Sequence, residues 1–407
     1  MDPLIIILLC LTASYLLSEF FEGLRLPRVL GSLFVGLLLG LPVVNEFIFD
    51  AYSLKLIEAF ADLGLIFIMF FVGLGLEVSE LRKSDKNSIY NAIFTALVPF
   101  VIGYFAVLLL CHTSVISCEN PAIIGLIVGG ILCVTGEMAS IDLLTHANAL
   151  KTRLAKKILV ADVFDNFVEA LLISFLVTFI HFLQNPVYGI LIIVFDLIIF
   201  FLMVYTAGFV VLPFVLRFIK RKQPKLDLFV VSLILSLFLA VASEYLGIGS
   251  ILGALIAGML MRYGLVKSSV SKRMQHEITD VMEITTFGFV APFFFVWVGM
   301  QGNFSFLITN PWLAVVLGIA AFVAKPLGSV VGELLSKGRV VEGLTVGWGM
   351  NTRGAVELIA AELAWQNGLI SGELFSALIF IAFITTIISP MFFSFYFKKY
   401  YSKKRRA

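Results

Sequence analysis

The sequence predicts an all-α membrane protein that crosses the bilayer about 13 times, with no soluble domain attached. Three observations carry this. Of 407 residues, 60% are hydrophobic and only 14% are charged, a balance foreign to a soluble fold of this length. Long apolar stretches recur from end to end, many of them near the roughly 20 residues that cross about 30 Å of hydrocarbon. Basic residues gather in every second gap between those stretches.

In chain order, spans are expected at roughly 3–23, 28–45, 53–77, 88–112, 121–146, 152–183, 187–220, 226–246, 248–264, 277–300, 311–336, 341–366 and 371–398. The first lacks a basic leader and a small-residue cleavage site, so it reads as a retained helix. The seventh is long enough for a tilted crossing. Arg25 and Arg28 follow the first span, and Arg82, Lys83 and Lys86 follow the third. Lys151, Arg153, Lys156 and Lys157 follow the fifth, and a cluster from Arg217 to Lys225 follows the seventh. Arg262, Lys267, Lys272 and Arg273 follow the ninth, Lys337 and Arg339 the eleventh, and Lys398 to Arg406 the last. Only Lys55, Lys325 and Arg353 fall outside this alternation. Positively charged loops stay on the cytoplasmic side, which puts the N-terminus outside and the C-terminus in the cytoplasm of a multi-pass protein of the cell (inner) membrane. The net charge of +2 gives no reason to expect a nucleic-acid partner. The cysteines Cys10, Cys111, Cys118 and Cys133 lack metal-ligand spacing. Cys111 and Cys118 flank a short outer loop and are read as thiols rather than as a bridge.

A charge inside hydrocarbon costs at least a few kcal/mol, so each intramembrane ionisable residue is a functional candidate. Span 6 places Asp162, Asp165, Asn166 and Glu169 at i, i+3, i+4 and i+7, on one helical face. Asp165 lies roughly 20 Å along that helix. Span 11 carries Lys325 in its middle; a buried ammonium wants a counter-ion, and Asp165 matches it in depth. Span 5, with "GGILCVTGEMASIDLL", and span 12, with "VGWGMNTRGAVELIAAEL", have Gly, Thr and charge where a plain span has Leu. Such interruptions mark broken helices whose ends coordinate ions. Glu137, Asp142, Arg353 and Glu357 would then line a cavity, although Arg353 and Glu357, at i and i+4, also suit a structural pair. Interrupted spans seven segments apart fit inverted-topology repeats, spans 4–6 matching spans 11–13.

On these residues the chain resembles the monovalent cation/proton antiporter superfamily, in the bacterial and archaeal branch of Na⁺/H⁺ antiporters and K⁺ efflux proteins. The motifs are "ADLGLIFIMFFVGLGLEVSELRK", "ILGALIAGMLM", "APFFFVWVGM", "GWGMNTRGAVELI" and "VFDN" after Thr135, with Lys325 on the lysine that members set against that pair. The resemblance covers nearly the whole chain. It implies the sodium/proton antiporter fold, with 13 helices and two of them discontinuous. It also implies a homodimer and an elevator motion within one exchanger domain, 1–407. A core (approximately 88–183 and 311–398) would move against a dimerising panel (approximately 3–77 and 226–300), with 187–220 as linker.

The function expected is exchange of a monovalent cation, Na⁺ first and K⁺ second, for protons. Asp165 would be the cation ligand and proton carrier, with Asn166, Thr135, Glu169 and Asp162 around it and Lys325 as charge partner. Glu137, Arg353 and Glu357 are secondary candidates. No cofactor is expected, and no phosphate loop, nucleophile motif or loop metal cluster points to an enzyme. The chain departs from the family pattern in reading Asp165-Asn166 and in following Arg353-Gly354 with Ala355. A non-exchanging cation channel or sensor on the same fold is therefore the alternative.

Overall fold

In the computed structural model the described residues are 2–24, 26–75, 86–135, 189–218, 224–246, 248–267 and 271–404, with scattered positions of 144–176. Every regular element among them is helical. The order begins α1 (Pro3–Gly23), α2 (Val29–Leu39), α3 (Pro42–Ile48), α4 (Ala51–Gly75), α5 (Lys86–His112) and α6 (Pro121–Cys133). The described positions of 154–176 are helical and are termed α7. There follow α8 (Gly189–Tyr205), a π-helical turn (Thr206–Val211), α9 (Leu212–Phe218), α10 (Pro224–Tyr245) and α11 (Ser250–Lys267). α12 (Lys272–Thr285) runs through a second π-helical turn (Thr286–Val290) into α13 (Ala291–Gln301). The chain ends with α14 (Phe306–Thr309), α15 (Pro311–Leu335), α16 (Val340–Gly349), α17 (Ala355–Gln366) and α18 (Gly372–Lys404).

Among the described residues, nine helices are long and apolar enough to cross a membrane. There are ten if the bent pair Val29–Leu39 and Pro42–Ile48 counts as one span. The chain is thus a multi-pass membrane protein, and the expected 13 spans are not all found among the described residues. Much of the fifth and sixth expected spans lies outside them. The second expected span is not straight: it turns by 83° at Gly40-Leu41-Pro42, where proline lacks the N–H that would continue the helix and disfavours helical backbone before it. The twelfth is broken, as its glycines and charge suggest, at the non-helical residues 351–354 between α16 and α17. The fifth stops as a helix at Cys133, and Val134 has extended backbone (ψ 149°). Cys111 and Cys118 are bridged, with Cα atoms 5.8 Å apart, which overturns the reading as thiols. The six intervening residues turn the chain enough for the two Cα atoms to come within disulfide reach.

The chain forms two compact units. One comprises 1–11, 49–76 and 173–297. Its core is apolar, with Phe67, Phe70, Leu239, Leu260, Met261 and Met282 at its centre. Gly73 of α4 lies against the Leu255 carbonyl of α11, and Gly258 of α11 against the Phe70 carbonyl of α4. A Cβ at either glycine would overlap backbone, so these two helices approach as closely as helices can. Asp50 caps α4 by accepting from Ser53 Oγ (2.5 Å) and Ser53 N (2.8 Å). Those bonds hold its carboxyl below the ordinary carboxylate range.

The other unit comprises 12–48, 77–172 and 298–407. Here α15 lies between α5 and α16, and glycines set the spacing. Gly328 and Gly332 meet the α5 backbone at Phe94 and Asn91, while Gly343 and Gly347 of α16 meet the α15 backbone at Val330 and Pro326. Beside this contact Trp348 and Phe392 stack, and Phe322 meets both edge-on. The tight packing brings buried polar groups of α7, α15 and the 351–354 gap together.

Candidate functional site

The site is built in the second unit from ends and interruptions of helices. α6 ends in a run of Gly129, Gly130 and Cys133, followed by Val134 in extended backbone and the non-helical Thr135. A helix that stops inside a protein leaves carbonyls without intrahelical partners. Arg353, in the gap between α16 and α17, takes two of them: its guanidinium donates to Leu132 O (2.8 Å) and Val134 O (3.0 Å). The positive side chain also faces the negative end of the α6 dipole. Arg353 is itself held by its N–H, which donates to Thr386 Oγ1 (3.0 Å). Its Nε lies 3.5 Å from Glu357 Oε2 in an ion pair that is buried on both sides.

A second repair lies across the gap. Pro326 interrupts the hydrogen-bond ladder of α15 and frees the carbonyl four residues earlier, that of Phe322. Asn351 Nδ2 lies 3.5 Å from that carbonyl and 3.3 Å from Ser389 Oγ. Ser389 Oγ donates back to Asn351 O (3.1 Å).

Next to the Arg353 anchor, Thr135 Oγ1 donates to Asp165 Oδ2. Lys325 Nζ donates to the same oxygen at 2.5 Å. Asp165 is 1% exposed and Lys325 is fully buried. The other carboxylate oxygen, Oδ1, has no hydrogen-bond partner among the described residues. Asp162, one turn earlier on α7, is also buried. Thus Thr135, Asp165 and Lys325 form one cluster. Arg353 and Glu357 form a neighbour, linked to it through the adjoining residues Val134 and Thr135. Asn166, Glu169, Glu137 and Asp142 lie outside the described residues.

The arrangement can hold a small cation or a proton on one acid. Two donors occupy Oδ2, and among the described residues none reaches Oδ1. A hard monovalent cation prefers such oxygen ligands. The family model for sodium/hydrogen exchanger, transmembrane, matches residues 5–399. The chain belongs to that family. Among the relatives of this exchanger-family protein is the Na(+)/H(+) antiporter of Enterococcus hirae, 27% identical over 98% of both chains. Another is the Na(+)/H(+)-K(+) antiporter GerN of Bacillus cereus, 27% identical over 94% of this chain and 93% of that one. The sodium proton antiporter MjNhaP1 of Methanocaldococcus jannaschii has the same fold. Its TM-score is 0.66 at 18% identity, covering 96% of this chain and 95% of the other.

Sequence reasoning missed one group of buried charges. Lys157, assigned above to a loop, is a helical residue of α7 that is 2% exposed. Its Nζ lies 2.6 Å from Glu333 Oε1 and 2.8 Å from Glu342 Oε1. The available signal was spacing: Glu333 follows Lys325 at the same interval at which Asp165 follows Lys157.

Proposed function

We propose that this chain exchanges a monovalent cation, Na⁺ first and K⁺ second, for protons across the cell membrane, with Asp165 as the carrier. The observation that carries the reading is a buried carboxylate held by Thr135 and Lys325 on one oxygen and, among the described residues, without a hydrogen-bond partner on the other. Exchange follows from competition. The cation and the proton both need the Asp165 charge, so loading one expels the other. Coupling holds if the empty, charged site does not cross. Lys325 offsets the carboxylate when neither ligand is bound and cedes part of that role when the cation arrives. Asn166 and Thr135 supply neutral oxygens, and Asp162 and Glu169 bias the region toward cations. Glu137, Arg353 and Glu357 shape the cavity around it.

The family relationship supports an elevator in which a core (88–183 and 311–398) moves against a panel (3–77 and 226–300) that joins two copies in a homodimer, with 187–220 as linker. It also supports the multi-pass placement in the inner membrane, N-terminus outside and C-terminus in the cytoplasm. The Asp165-Asn166 order favours one second reading, a cation channel or sensor without exchange. Cation-driven proton flux in proteoliposomes separates the two. Wild type is expected to move protons against Na⁺ or K⁺, Asp165→Asn to abolish that flux, and Glu169→Gln and Asp162→Asn to retain part of it. Full exchange by Asp165→Asn refutes the assignment, and cation flux without proton counter-flow in wild type selects the channel reading.

A further inference from the structure

The Asp165–Lys325 pair has a mirror image. Eight residues before Asp165 on α7 stands Lys157, and eight residues after Lys325 on α15 stands Glu333. Two antiparallel helices that pair at one level pair again about 12 Å away, and there the charges are reversed: α7 supplies the ammonium and α15 the carboxylate. The second level differs in one respect. Glu342, in the first turn of α16, also reaches Lys157 Nζ, at 2.8 Å. Two carboxylates therefore share one ammonium.

The described surroundings do not balance the surplus charge. Among the described residues, the groups facing Glu333 are Lys157 from α7, Glu342 from α16, and the uncharged Asn91 and Ser329. Asn91 Nδ2 donates to Glu333 Oε1 (3.0 Å) and to Ser329 Oγ (3.1 Å). Glu333 Oε2 is fully buried without a hydrogen-bond partner among the described residues and points at Gly338, where a Cβ would collide with it. A buried cluster with a net negative charge carries a penalty of several kcal/mol. Adding one proton makes the cluster neutral and turns one carboxylate oxygen into a donor. The turn at 336–339 that closes over Glu333 has exposed residues at Lys337 and Arg339, so water lies within about one helical turn of the acids.

We propose that Lys157, Glu333 and Glu342 form a second proton-binding site, in which the two carboxylates share one proton. The proton comes from water at the 336–339 turn and returns there, and no other bond is made or broken. The two acids titrate as a coupled unit, so the proton belongs to the pair rather than to either residue. The site stands on the α7–α15 register and on Glu342 of α16, and does not depend on which residue carries the exchanged cation.

Infrared spectroscopy of the full-length protein in lipid nanodiscs, without Na⁺ or K⁺, reads the protonated carboxyl through its carbonyl-stretch band. Charge counting fixes the sign for each variant. Glu342→Gln and Glu333→Gln each leave one ammonium facing one carboxylate, so each is expected to lose the band intensity of one carboxyl. Lys157→Met leaves two acids without an ammonium and is expected to gain that intensity. In an Asp165→Asn background, Glu342→Gln is expected to lose the same amount, which keeps this result separate from the carrier assignment. Unchanged band intensity in both glutamate variants overturns the proposal, and so does a loss in Lys157→Met.

Discussion

Arg353 ties the two interrupted helices together, and its removal has a magnitude that the structure supplies. Its Nε lies 3.5 Å from Glu357 Oε2, with both side chains buried. Two unit charges at that distance attract by about 4–5 kcal/mol at an effective dielectric of about 20. Removing one member of a buried pair costs about 3–5 kcal/mol, because the other charge is left alone. The two routes agree, so Arg353→Met should destabilise the protein by about 3–5 kcal/mol. The double variant Arg353→Met/Glu357→Leu removes both charges and should regain most of the ion-pair share. The remaining deficit is the freed Leu132 and Val134 carbonyls, at about 1–3 kcal/mol. The assay is thermal unfolding in detergent of wild type, both single variants and the double, read as a cycle. The expected coupling between the two sites is at least about 2 kcal/mol. Exchange activity should stay lost in the double, since α6 and Thr135 are no longer anchored. A double variant no more stable than Arg353→Met would refute the ion-pair account, and near-wild-type exchange in it would refute the anchoring role.

Two further outcomes test the packing and the outer loop. Closing the loop between Cys111 and Cys118, with a sequence separation of 7, removes unfolded-state entropy equivalent to about 2.5 kcal/mol. Reductant should therefore lower the melting temperature of wild type and leave Cys111→Ser/Cys118→Ser unchanged. Gly258→Ala puts a methyl group into the Phe70 carbonyl and should destabilise the first unit by about 1–3 kcal/mol. The yield of folded protein and its melting temperature should both fall, while Gly23→Ala, which meets nothing within 4 Å, should behave as wild type.

The spans were legible because a membrane helix declares itself through length and composition, and α4, α5, α11 and α15 begin and end within a few residues of their expected limits. The bend between α2 and α3 was written in the sequence as Gly40-Leu41-Pro42, but an apolar average over 28–45 hides a proline that is flanked by leucine and valine. The gap at 351–354 was visible because Gly, Asn, Thr and Arg interrupt an apolar run. Its partners were not: Arg353 binds the carbonyls of Leu132 and Val134, and backbone oxygens leave no signature in side-chain identity. Lys157 shows a different limit. Charge alternation counts it with Lys151, Arg153 and Lys156 as a loop cation, and nothing local distinguishes it from them. Its burial depends on Glu333 and Glu342, which lie far along the chain and reach it only through the α15–α16 packing.

Irregular backbone at membrane depth survives only where protein groups replace the missing hydrogen bonds, and the second unit spends its polar side chains in that way. Arg353 covers the end of α6, Asn351 covers the carbonyl freed by Pro326, and Thr386 binds both the N–H and the carbonyl of Arg353. Once these repairs are made, the oxygens without a hydrogen bond around the gap, among the described residues, are on side chains: Asp165 Oδ1, Asn351 Oδ1 and those of Glu357, whose Oε2 is ion-paired to Arg353. A plain continuous helix would satisfy its own carbonyls and have no reason to carry these residues. The breaks therefore do more than expose dipole ends. They recruit a small set of buried donors to hold the backbone, and among the described residues they leave unpartnered acceptors close to Lys325. If that is the logic of the site, filling the gap should remove it: Gly354→Ala/Thr352→Ala, which favours a continuous helix from α16 to α17, should lower cation-driven proton flux more than it lowers thermal stability. A variant that loses stability and keeps its flux would contradict it.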